Sequence, residues 1–247
     1  MSIDTIRIKL ETEGYVLIDI NDLSNEILKD AQMEINKIIS FSKKGQYQNI
    51  RVYDDYLFGP NIAGIEMPFS PKIISNKIIN LLNCSNIPVF AKDLLGEKVK
   101  LTLSRYHITG SYSHIGKWHR DSDIGDKNSI QISLFLFDEM GLELIPGSHK
   151  EGFDFLDTFF EKNRYSKIKN SIKLNVKAGQ ILFFNPSIVH RGISKKSRAN
   201  IHFRFETDKA YEFKKNVSIE NYCFDKNWLD IFNNRNSIII DKNIPKY

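Results

Sequence analysis

His119 and Asp121 are the residues of this chain whose types and spacing most readily do chemistry, because one residue separates them in Lys117-Trp-His-Arg-Asp-Ser-Asp123. In an extended strand, side chains at i and i+2 leave the same face, so an imidazole and a carboxylate emerge together. They make two-thirds of a metal site. The remaining ligand should be a histidine from a distant strand, and His190 in Phe183-Phe-Asn-Pro-Ser-Ile-Val-His-Arg-Gly192 is the candidate. Two neutral imidazoles hold a divalent ion firmly and one carboxylate offsets part of its charge. The opposite positions stay open, as in non-heme Fe(II) oxygenases.

Such ligands must be carried by strands. The sequence places strands at Val99 to Ile108, Gly116 to Asp121, Ser129 to Phe137, Leu142 to Ile145, Ser171 to Val176, Gln180 to Phe184, Ile188 to Gly192 and Asn200 to Glu206. Turn signals such as Met140-Gly141, Pro146-Gly147 and Ala178-Gly179 separate several of them, which points to a mainly β jelly roll rather than a βαβ sheet. Residues 153–169 read as an amphipathic helical insertion. Ahead of the core, residues 1–44 read as helix, strand and helix, with Leu23, Ile27, Leu28, Ala31, Ile35, Ile38 and Ile39 at helical spacing. Residues 72–84 return to that period. Between them, residues 45–71 carry Gly45, Gly59-Pro60, Gly64, Pro68 and Pro71, a long irregular segment that is either a substrate-covering loop or a plain connection. Residues 207–247 hold Tyr211, Phe213, Tyr222, Phe224, Trp228 and Phe232, which suit packing on the core or a subunit contact.

A chain of 247 residues, 41% hydrophobic and 26% charged, fits one globular domain spanning 1–247, with core strands over about 99–206. Lys and Arg number 35 against 30 Asp and Glu, giving a net charge of +5. This mild basicity favours an anionic small molecule as partner. Without a basic helix or clustered stacking aromatics, no nucleic-acid partner is expected. The two cysteines, Cys84 and Cys223, form no paired framework, and there is neither a secretory signal nor a run of about 20 apolar residues. A cytoplasmic location, away from membranes, is the expectation; the oligomeric state stays open.

Longer motifs sharpen this picture: Gly14-Tyr-Val-Leu-Ile, Trp118-His-Arg-Asp, Leu142-Glu-Leu-Ile-Pro-Gly-Ser-His-Lys150, and Ala178-Gly-Gln-Ile-Leu-Phe-Phe-Asn-Pro-Ser-Ile-Val-His-Arg-Gly192. Over most of its length the chain resembles the phytanoyl-CoA dioxygenase family of Fe(II)- and 2-oxoglutarate-dependent oxygenases. The resemblance implies a double-stranded β-helix core with flanking N-terminal helices, and Fe(II) held by His119, Asp121 and His190. It also implies 2-oxoglutarate and O₂ as cosubstrates, with hydroxylation of a small-molecule metabolite and release of succinate and CO₂. Desaturation, epimerisation or cyclisation would use the same centre, and a macromolecular substrate or a non-catalytic jelly roll are the other readings. Asp121 disfavours halogenation, since related halogenases have a small residue there.

The far carboxylate of 2-oxoglutarate needs a fixed cation, and a guanidinium matches it bidentately. Arg198, at the start of the last strand, is the first candidate; Arg204, of the same parity, is the second. Arg191 should face away from the metal. Gln131 and Ser133 share one strand face and either meet the cosubstrate or lie on the surface. Tyr106, beside Arg105 on the first core strand, is a further cosubstrate contact implied by the family. His149 is expected to anchor the Pro-Gly-Ser-His turn, His107, His114 and His202 to be structural, and Trp118 to pack opposite His119. Substrate contacts are expected from residues 45–71 and 153–169.

Overall fold

The computed structural model describes residues 1–20, 23–43, 51–52, 65–68, 76–96, 99–109, 114–194, 198–207 and 209–210. The chain opens with α1 (Ile3–Thr12), whose first turn is capped by Ser2, the hydroxyl of which accepts the Thr5 N–H. Gly14 then turns the chain at φ +85°, where a side chain would be strained and its Cβ would lie 2.5 Å from His149 Nδ1. β1 (Tyr15–Asp19) follows, then α2 (Asn25–Lys43), β2 (Arg51–Val52) and β3 (Ile65–Pro68). Next come α3 (Asn76–Ser85), α4 (Ile87–Leu95), β4 (Val99–Thr109), β5 (His114–Ile115), β6 (Ser129–Phe135) and β7 (Glu139–Leu144). The remaining elements are α5 (Phe155–Lys162), β8 (Ile172–Val176), β9 (Gln180–Phe184), β10 (His190–Ser194) and β11 (Arg198–Thr207).

β4 to β11 make the jelly roll. One sheet has the order β1-β9-β6-β11-β4-β3-β2 and the other β5-β10-β7-β8, with antiparallel pairing throughout. β6 and β11, central in the larger sheet, alternate between two buried faces. Ile130, Ile132 and Leu134 of β6 join Ile201, Phe203 and Phe205 of β11 and the inward residues of α2, α3 and α4 in the main core. Odd-numbered Gln131, Ser133 and Phe135 point the other way, into the roll, where Phe135 meets Leu144, Leu182, Phe184 and Ile188. A third cluster fixes α5 to the smaller sheet through Trp118, Ile145, Leu156, Phe160 and Val189.

Several expectations are revised. The strand expected over Gly116–Asp121 is irregular: the N–H groups of Gly116, His119 and Asp121 bond to Gly192 O, His190 O and Pro186 O along the stretch 186–192, but Trp118 N–H turns to Arg164 O in the insertion, so no regular ladder forms. The insertion is helical only over Phe155–Lys162 and continues as turns. α4 lies in a stretch for which the sequence suggested no element; its Pro88 sits in the first turn, where the missing N–H costs nothing. The described parts of residues 45–71 are two strands, with β3 pairing on β4. The rest of that segment lies outside the described residues, as do the aromatics from Tyr211 onward.

Candidate metal centre

His119 and His190 come from distant parts of the chain and meet through two reciprocal main-chain hydrogen bonds, each N–H donating to the other's carbonyl at 3.0 Å. Their rings lie 4.4 Å apart between centroids. Each Nδ1 bonds the carbonyl two residues earlier, His119 to Lys117 O and His190 to Ile188 O, both at 2.9 Å. With Nδ1 protonated and donating, both Nε2 lone pairs are left for a metal. Asp121 completes the group. Its Oδ1 is 3.5 Å from His119 Nε2 and its Oδ2 3.5 Å from His190 Nε2. One ligand atom from each residue lies within 4.8 Å of the others.

Asp121 is held from several sides. Gln131 Nε2 donates to Oδ2 at 2.7 Å, Arg204 Nη1 donates to the main-chain carbonyl at 3.1 Å, and the Asp121 N–H reaches Pro186 O at 2.8 Å. Burial alone would raise its pKa, but the hydrogen bond and charge of His190, the charge of His119 and the Gln131 amide outweigh that and hold it well below the usual carboxylate range. Burial pulls the His190 pKa down, yet the Asp121 carboxylate wins and the net displacement is upward. The donor set of two imidazole nitrogens and an ionised carboxylate fits Fe(II).

The sequence candidates divide cleanly. Gln131 and Ser133 are buried inside the roll, not on the surface, and Ser133 Oγ meets His202 Nδ1 at 2.9 Å. Arg204 Nε lies 2.7 Å from Glu206 Oε1, so its charge has a buried partner on its own strand. Arg191 turns away from the triad into an ion pair with Glu143 at 2.6 Å and stacks 4.3 Å over the Trp118 ring. His149 Nε2 approaches Glu11 O at 3.2 Å, and Gly147 N–H bonds Glu13 O, so the Pro-Gly-Ser-His turn docks on the end of α1. The backbone of Arg198 begins β11 opposite Thr109; its side chain and those of Arg105, Tyr106, His107 and His114 lie outside the described residues.

Arg120 is the residue sequence reasoning missed. Lying between two ligands, it points to the opposite side, where its guanidinium donates to Asp157 Oδ1, to the carbonyls of Ser148 and Phe153, and to that of Ser187. It thus ties α5, the Pro-Gly-Ser-His turn and the approach to His190 to the ligand strand. The only available signal was parity, which says where Arg120 points but not what it meets. Beside it lies a cleft of about 700 Å³ lined by Arg120, Asp121, Ser122, Asp123, Ile124, Asp154 and Asp157. Four of its lining residues are acidic, and one of them, Asp157, is paired with Arg120.

A profile of the family described as phytanoyl-CoA dioxygenase (PhyH) matches residues 71–200, more than half of the chain. The chain belongs to the phytanoyl-CoA dioxygenase family. No curated protein matches it. Among solved structures it is similar to AviO1 from Streptomyces viridochromogenes Tue57, with TM-score 0.65 and 14% identity over 83% of this chain and 95% of that one. It is also similar to HygX from Streptomyces hygroscopicus with nickel, 2-oxoglutarate and hygromycin B bound, at TM-score 0.61 and 15% identity over 84% and 88%. EctD from S. alaskensis with bound Fe superposes at TM-score 0.60, 16% identical over 85% and 78%. These likenesses establish the family's jelly-roll fold. No helix among the described residues is long and apolar enough to cross a membrane.

Proposed function

We propose that the protein is an Fe(II)- and 2-oxoglutarate-dependent dioxygenase that hydroxylates a small-molecule metabolite. The observation that carries this reading is the convergence of His119 Nε2, His190 Nε2 and the Asp121 carboxylate, with both Nδ1 atoms already engaged, in a chain of this family. Fe(II) held there, with 2-oxoglutarate and O₂ bound, would supply oxidative decarboxylation to succinate and CO₂ coupled to oxidation of a substrate C–H bond. HygX has 2-oxoglutarate bound on this fold and EctD has Fe, which supports the same pair of cofactors here.

The chain's own residues divide the work. His119, Asp121 and His190 bind the metal on one side. Arg198 holds the far carboxylate of 2-oxoglutarate: it opens β11 with the parity of His202 and Arg204, while Arg204 is already engaged with Glu206 and the Asp121 carbonyl. Tyr106 on β4, facing Ile201 across the ladder, supplies a second contact to the cosubstrate. Gln131 serves the site through Asp121. Residues Asp154 and Asp157 of the insertion wall the cleft next to Asp121, which supports substrate contacts from that insertion. SnoN, described as an alpha ketoglutarate dependent epimerase, shares the fold, with TM-score 0.60, so epimerisation is the second outcome to screen.

Anaerobic titration of the Fe(II)-loaded protein with 2-oxoglutarate tests the reading. A weak visible charge-transfer band is expected to grow in the wild type and to be absent in His190→Ala. No band with iron bound would remove 2-oxoglutarate from the proposal.

A further inference from the structure

Gln131 is a costly residue where it stands. It is 2% exposed on β6, between Phe184 of β9 and Arg204 of β11. Its Nε2 donates to Asp121 Oδ2 at 2.7 Å, while its buried Oε1 has no hydrogen-bond partner among the described residues. A half-satisfied buried amide weakens a fold relative to an apolar side chain of the same shape. Fold stability therefore does not explain the glutamine, and its one bond does.

That bond selects between the two oxygens of Asp121. Oδ1 and Oδ2 each lie 3.5 Å from a different histidine Nε2, so the placement of the rings favours neither oxygen for a shared ion. The main chain of Asp121 is already fixed, through Pro186 O on one side and Arg204 Nη1 on the other. What remains free is rotation of the carboxylate, and the Gln131 amide stops it while drawing electron density from Oδ2. The remaining oxygen, Oδ1, is the better donor.

We infer that Gln131 is the positioning residue that keeps Asp121 a one-oxygen ligand and thereby keeps three positions open on the metal. The inference rests on the metal reading of the triad given above. The count matters: a six-coordinate ion with two imidazoles and one carboxylate oxygen has three free positions, and with both oxygens bound it has two. A chelating 2-oxo acid together with O₂ requires three. With both oxygens of Asp121 bound, the ion would be held as tightly or more so, yet left one position short.

The test replaces the amide by shapes that cannot donate, Gln131→Met and Gln131→Leu, each first shown to unfold cooperatively. Water-proton relaxation of the Mn(II)-loaded proteins counts exchangeable waters on the ion without any cosubstrate. The wild type is expected to show three and either variant two, a fall of about one third, with Mn(II) affinity unchanged or higher. In the Fe(II) form the variants are expected to need about 10- to 100-fold more 2-oxoglutarate. Equal water counts in wild type and variants would overturn the inference, and so would loss of Mn(II) affinity at an unchanged water count, which would mark Gln131 as an affinity element. Should the wild type show no 2-oxoglutarate band, the cosubstrate reading fails separately, and the Mn(II) water count still decides the role of Gln131.

Discussion

The two faces of β6 and β11 are built from alternating residues of the same strands and serve opposite ends. Ile130, Ile132, Leu134, Ile201, Phe203 and Phe205 face the helices, where removal of apolar area from water is the whole interaction. Gln131, Ser133, His202 and Arg204 face into the roll beside the triad and are joined by directional bonds. One face stabilises the sheet by area. That leaves the other able to carry polar groups whose bonding is chosen for chemistry rather than for stability.

Breaking the polar face should abolish function and spare the fold. His119→Ala or Asp121→Ala is expected to eliminate Fe(II)-dependent turnover, measured as succinate release, while leaving the thermal unfolding transition cooperative. Breaking the apolar face should do the reverse: Phe203→Ala, at a fully buried position, is expected to cost about 3–5 kcal/mol in urea unfolding. Its folded fraction should keep the metal affinity of the wild type. A finer cut is Arg198→Ala, at the proposed anchor of 2-oxoglutarate. Losing a charge-assisted pair of about 1.5–3 kcal/mol should raise the 2-oxoglutarate requirement on the order of tenfold to a few hundredfold. An unchanged requirement would transfer that role to Arg204.

The smallest effect concerns the border where the N-terminal helix meets the roll. Burial, reinforced by the charges of Lys150 and Arg120, holds the His149 pKa below its usual 6.5, against the opposing bond to Glu11 O. The unfolded chain then takes up the proton more readily than the folded one. Stability from this site is complete above about pH 6.5 and declines as the pH falls towards the lowered value. Melting temperatures between pH 7.5 and 5.5 are expected to fall further in the wild type than in His149→Gln.

Much of this division could be read before any coordinates. Alternation in β6 separates Ile130, Ile132 and Leu134 from Gln131 and Ser133, and the spacing of His119 and Asp121 puts both on one side of an extended segment. Parity could not say whether the polar face was wet or buried, because a jelly roll covers both sides of its central strands. Arg120 shows another limit. Four acceptors from three segments meet its guanidinium, and such convergence is a property of the folded chain alone. The strand expected at Gly116–Asp121 is irregular for a related reason, since most of its N–H groups follow β10 and the loop before it while Trp118 bonds to the insertion instead.

The paired backbone bonds between His119 and His190 give the site a temporal property. Until β10 closes against the His119 segment, the chain offers a metal only the His119 and Asp121 pair, a two-point grip that exchanges quickly. With β10 paired, the third donor is covalently distant but mechanically coupled to the other two. The Arg191 and Glu143 pair, one residue further along β10, buttresses that junction without touching a ligand atom. Weakening it is therefore expected to shorten the residence time of a bound ion.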